Sequence, residues 1–96
     1  MKLYIVAVSG LTDIEEREFI EFARANGMNW WHWIENIWLL IDPDERFDAA
    51  RIRDKLRAMK SSKRCIVIEK NPDYETWAEF GPQEKDLFNW VKKNWP

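Results

Sequence analysis

Two aromatic and β-branched runs, Trp30 to Ile34 and Ile37 to Ile41, are separated only by Glu35 and Asn36. A gap this short dictates a tight antiparallel hairpin, with Asn36 tolerating the positive φ such a turn needs. Other runs supply the remaining strands. Leu3 to Val8 is almost continuously apolar and closes at Ser9-Gly10, the pattern of a strand covered on both faces. Arg64 to Lys70 forms the last strand, apolar from Cys65 to Ile68, and Asn71-Pro72-Asp73 ends it. Asp42-Pro43-Asp44 ends the hairpin, because Pro cannot donate to a ladder.

Helices fill the intervals. Thr12 and Glu15 form a T-x-x-E capping box, and the helix they open runs to about Asn26, where Gly27 supplies a left-handed C′ residue. Asp48 caps a second helix whose apolar positions Ala49, Ile52, Leu56 and Met59 recur at helical spacing, with Ser61-Ser62 as the break behind it. Gly81-Pro82 opens a third, with Leu87, Phe88, Val91 and Trp95 as its apolar stripe. The order strand, helix, strand, strand, helix, strand predicts an α+β fold of the ferredoxin-like βαββαβ kind, an antiparallel sheet with an added C-terminal helix. Residues 1–96 make a single domain, with its core in 1–70 and the extension and helix in 71–96.

Strand positions of both parities are apolar. Leu3, Ile5 and Ala7 alternate with Tyr4, Val6 and Val8, and Ile37, Leu39 and Ile41 alternate with Trp38 and Leu40. Right-handed crossovers place both early helices on one face, so the other face is expected to be buried by the third helix, by a second subunit, or by both. A homodimer is the expected state, with a further protein partner as another use of the same surface. Among seven tryptophans, Trp31, Trp33, Trp38 and Trp77 are the candidate interface anchors, since Trp is enriched among residues that dominate binding energy. Strict alternation puts Trp31 and Trp33 on one sheet face and Trp30 and His32 on the other. The competing role for these rings is filling a small core.

No apolar stretch approaches the ~20 residues needed to span a bilayer. Met1-Lys2 leads directly into a strand without an apolar leader, so a cytoplasmic location is expected and no membrane contact. The single Cys65 has no cysteine to pair with and reads as a small buried hydrophobe. A net charge of −2 argues against nucleic-acid binding through global electrostatics. A local basic stretch, Arg51 to Arg64, leaves Arg51, Lys55, Lys63 and Arg64 as candidate phosphate contacts, although the common meaning of such a run is a solvated helix face.

Chemistry is thinly represented. Magnesium-assisted hydrolysis needs converging carboxylates, and Asp13, Asp42 and Asp44 read first as helix-start and turn residues. His32 is the only histidine, and no spacing brings Ser9 or Cys65 to it as a nucleophile. The chain has no G-x-G-x-x-G, P-loop or G-x-S-x-G motif. No cofactor, metal ligand or catalytic residue is assigned.

The hairpin Trp31-His32-Trp33-Ile34-Glu35-Asn36-Ile37-Trp38-Leu39-Leu40 resembles a small prokaryotic family labelled SinR-like, which carries a W-W-H-x-[LI]-[ED]-[SN]-x-W-[LI] pattern. Ile52-Arg53-Asp54-Lys55-Leu56 and Cys65-Ile66-Val67-Ile68-Glu69 are similar to that family's second helix and last strand, and Trp77 to Gly81 with Trp90-Val91-Lys92-Lys93 resembles its C-terminal region. The resemblance extends from about Asn29 to the end. It implies a fold shared with the CRISPR-associated adaptation nuclease subunit and the virulence-associated protein D toxins, a ferredoxin-like dimer packed sheet against sheet, and a background in defence or toxin systems. In that wider group a metal-binding carboxylate ends the first strand, where this chain has Val8-Ser9-Gly10. The function expected is therefore a non-catalytic homodimeric association module, with a divergent metal-dependent nuclease or nucleic-acid-binding protein as the alternative.

Overall fold

Local signals set the element ends. In the computed structural model, which describes residues 1–61, 64–73, 77–78 and 88–95, the first strand β1 spans Lys2–Val8 and the first helix α1 spans Asp13–Ala25. Thr12 caps α1: its hydroxyl accepts from Glu15 N at 3.2 Å, while the Glu15 carboxylate accepts from Thr12 N at 3.1 Å. The same carboxylate also accepts from Ser61 N at 3.2 Å, tying the helix start to a distant turn. These hydrogen bonds, that from Thr12 N first, hold the Glu15 carboxyl below the usual glutamate range. At the other end Gly27 takes φ 72, Gly27 N donates to Arg24 O, and Met28 N donates to Ala23 O. This is the Schellman arrangement that a glycine in the left-handed region permits.

The hairpin forms as β2, Asn29–Ile34, and β3, Ile37–Asp42, with Asn36 at φ 65 in the turn. Helix α2, Ala49–Arg57, begins behind Asp48, whose carboxylate accepts from Arg51 N at 2.8 Å. Strand β4 spans Cys65–Lys70 and helix α3 spans Asn89–Asn94. The expected opening of the third helix at Gly81-Pro82, and Leu87 of its stripe, lie outside the described residues.

The four strands form one antiparallel sheet in the order β2-β3-β1-β4. Its first face carries Tyr4, Val6, Val8, Trp38 and Leu40, which pack with Phe19 and Ala23 of α1 and Ile52 and Leu56 of α2. Its second face carries a smaller core, in which Leu3, Trp31 and Ile41 pack with Val91 and Trp95. Both faces are thus apolar, as the alternation required, and α3 covers part of the second.

One expectation fails in β2. Trp31 pairs with Leu39, but Ile34 rather than Trp33 pairs with Ile37, so His32 and Trp33 together oppose Trp38. This is a β-bulge, which breaks the two-residue alternation and frees one side chain from the ladder. Trp31 and Trp33 therefore do not hold equivalent places on one face: Trp31 is buried and Trp33 is 64% exposed.

Candidate interaction surface

Register alone lays out the second sheet face in three rows. Across the hairpin end run Ile34, Ile37, Ala7 and Ile66, one residue from each strand. Below them lie Trp31, Leu39, Ile5 and Ile68, and below those Asn29, Ile41, Leu3 and Lys70. Leu3 and Ile41 of the lowest row and Trp31, Leu39 and Ile5 of the middle one belong to the core that α3 closes. The hairpin row does not. Ile34, Ile66 and Ile68 are 44%, 57% and 48% exposed, so apolar side chains face solvent on both edge strands of a continuous sheet. A patch of this kind marks a binding surface more often than an isolated exposed leucine does.

Between α3 and the open rows lies an apolar groove of about 240 Å³, lined among others by Ile5, Trp31, Ile34, Ile37, Leu39 and Val91. Trp77 lines it as well, with a buried indole N–H that has no hydrogen-bond partner. Lys70 sits at its edge and donates to the Asn71 carbonyl at 3.1 Å.

The four candidate tryptophans therefore separate. Trp38 is 1% exposed in the helix-side core and offers no surface to a partner, which corrects the expectation that it anchors an interface. Its ring stacks on His32 at 3.7 Å and meets Phe19 edge-on at 4.9 Å. Trp31 is covered by the C-terminal segment and lies 5.5 Å from Phe88. Trp77 is half-buried at the groove, and Trp33 is exposed. Composition could not have found Ile34, Ile66 and Ile68, the residues of the open rows, but strand register does.

The basic stretch does not converge. Lys55 Nζ lies 3.6 Å from Glu18 and 5.7 Å from the Phe22 ring centre, and the Arg51 guanidinium sits 4.3 Å over Phe47 while donating to the Arg46 carbonyl. Arg53 pairs with Asp54 at 2.9 Å. Arg64 is exposed just before β4, and Lys63 lies outside the described residues. Two of the four candidate phosphate contacts are thus held by groups of their own chain.

The titratable groups are likewise in structural use. His32 Nδ1 donates to the Ile37 carbonyl at 2.7 Å, since a carbonyl only accepts, and Nε2 lies 3.5 Å from Glu16. The ring thereby clamps the bulge against Trp38. Ser9 Oγ donates to the Arg64 carbonyl at 3.4 Å rather than to His32. Asp13 opens α1 and Asp44 pairs with Arg46 at 3.5 Å. Asp42, buried at the end of β3, accepts from Phe47 N at 2.8 Å and leaves its other carboxylate oxygen without a partner. Among the described residues, no group of three or more His, Cys, Asp or Glu is placed to hold a metal ion, and no helix is long and apolar enough to cross a membrane.

Tyr4 is fully buried, and its hydroxyl donates to the Phe47 carbonyl at 2.9 Å. Burial first, then the negative charges of Glu69, Asp42, Asp48 and Glu45, push its pKa up to about 12 from an ordinary 10. A phenol whose folded pKa is raised stabilises the fold fully below pH 10 and loses that contribution as pH climbs towards 12. The loss is expected to reach roughly 2 to 3 kcal/mol. Urea unfolding between pH 9 and pH 12 measures it, and Tyr4→Phe should flatten the dependence. An equal alkaline decline in that variant would place the effect elsewhere.

These features define an α+β domain with one sheet face closed by two helices and the other half-closed by a third, leaving an apolar patch beside a groove. Comparison with protein-family models gives no match, and neither curated proteins nor solved structures give one.

Proposed function

We propose that the chain is a ferredoxin-like, non-catalytic association module that forms a homodimer through the open rows of its sheet. The order βαββαβ, the spatial order β2-β3-β1-β4 and the placement of α1 and α2 on one face support the ferredoxin-like reading. The observation that carries dimerisation is the apolar row Ile34-Ile37-Ala7-Ile66, exposed at Ile34 and Ile66 and half-buried at Ile37 and Ala7. It crosses every strand without a charged or polar side chain, and α3 does not reach it. An isologous contact needs one self-complementary patch, and a flat apolar row meets that need without a separate partner surface. The hairpin's resemblance to the SinR-like family supports a role in a prokaryotic defence or toxin-antitoxin system.

Sedimentation of the purified chain tests this. The expected mass is twice the 11.7 kDa of one chain, with and without magnesium and with short RNA or DNA present. Ile66→Lys, on a side chain already exposed, should leave the circular dichroism spectrum of the folded chain unchanged and weaken the dimer at least about tenfold by burying a charge at the contact. A monomer at high micromolar concentration would overturn the proposal. A nucleic-acid complex would replace it with the binding reading.

A further inference from the structure

The bulge decides where Trp33 goes. Without it Trp33 would pair with Ile37 and belong to the hairpin row; with it Ile34 takes that place and the indole stands exposed at the edge of the sheet. A bulge sacrifices regular pairing, and such devices recur where a side chain has to be re-aimed. Trp33 is the largest side chain among the exposed apolar residues and does not line its own groove.

We infer that Trp33 of one copy seats in the apolar groove of a second copy, and reciprocally, across a two-fold axis beside the hairpin ends. The inference rests on the homodimer reading and specifies its contact. Size agrees: a dry apolar cavity of about 150 Å³ takes a benzene ring, so the 240 Å³ groove has room for the larger indole. Chemistry agrees, because Ile5, Ile34, Ile37, Leu39 and Val91 supply aliphatic walls and Trp31 an aromatic one. Placement agrees too. Trp33 is joined to Ile34, which lines the groove, so knob and hole lie side by side and one two-fold operation engages both pairs. A tryptophan entering a desolvated pocket is the typical anchor of an interface, ringed by lesser contacts that exclude water; Ile66 and Ile68 are placed to form part of that ring.

The test compares dissociation constants by sedimentation equilibrium for the full chain, Trp33→Ala, Trp33→Phe and the groove-filling Ile37→Trp, with circular dichroism melts confirming that each variant folds. Trp33→Ala is expected to raise the dissociation constant about 30-fold or more, Trp33→Phe less, and Ile37→Trp to weaken the dimer by occluding the groove. A mixture of Trp33→Ala and Ile37→Trp should form a heterodimer tighter than either variant alone, because one knob and one groove remain intact. A dimer indifferent to Trp33→Ala would assign the groove to another occupant and overturn the inference while leaving dimerisation in place. A monomeric unaltered chain would instead remove the homodimer reading on which the inference stands.

Discussion

Trp38→Ala is expected to destabilise the fold by roughly 3 to 5 kcal/mol, a large share of the ~5 to 15 kcal/mol that holds a domain of this kind together. The indole sits mid-strand in β3, buried to 1% exposure, with Phe19 edge-on at 4.9 Å, His32 stacked at 3.7 Å and Trp30 6.1 Å away. Removing it takes one wall from the helix-side core and leaves His32 without the ring it lies on, so the bulge loses its clamp as well. Urea unfolding followed by far-ultraviolet circular dichroism measures the loss. A change under about 1 kcal/mol would mean that the core collapses around the gap and that Trp38 is not its keystone. Trp33→Ala offers the contrast: a ring of the same size on the same hairpin, expected to act through association rather than through the core.

That contrast shows what could be read from sequence. Caps and turns were legible because each depends on a few adjacent residues: Thr12 with Glu15, Gly27 after α1, Asn36 in the hairpin and Asp48 before α2 all take their expected places. The need for cover on both sheet faces was legible for the same reason, since strand parity is a local property. The tryptophans were not separable. Their fates depend on a one-residue insertion at His32-Trp33 and on where α3 lands, and both are settled by packing between distant segments. Strict alternation gives Trp31 and Trp33 the same face, and only a bulge held by the His32 bond to the Ile37 carbonyl separates them. Composition likewise placed Trp38 among the interface anchors, because nothing local distinguishes a ring aimed at Phe19 from one aimed at solvent. The basic stretch was visible as a run of charges, but not that Lys55 pairs with Glu18 or that Arg51 covers Phe47.

Trp95→Ala tests the division of labour on the second sheet face. Trp95 follows α3, is 5% exposed, and with Val91 closes the core over Leu3, Trp31 and Ile41. Truncation is expected to cost about 3 kcal/mol, which in a domain of this size lowers the melting temperature by roughly 10 to 25 °C. The direction of the second effect is more telling. Loosening α3 extends the apolar patch from the hairpin row down the sheet, so the variant should self-associate more than the unaltered chain even as it melts earlier, whereas Ile66→Lys is expected to weaken association. Differential scanning calorimetry and light scattering on the same samples separate the two responses. An unchanged melting temperature would mean that α3 is not the lid of the lower rows; a lower one without larger particles would mean that the uncovered rows do not drive association. Only if both shift together does α3 set the boundary between the part of the sheet that folding buries and the part left for a second chain.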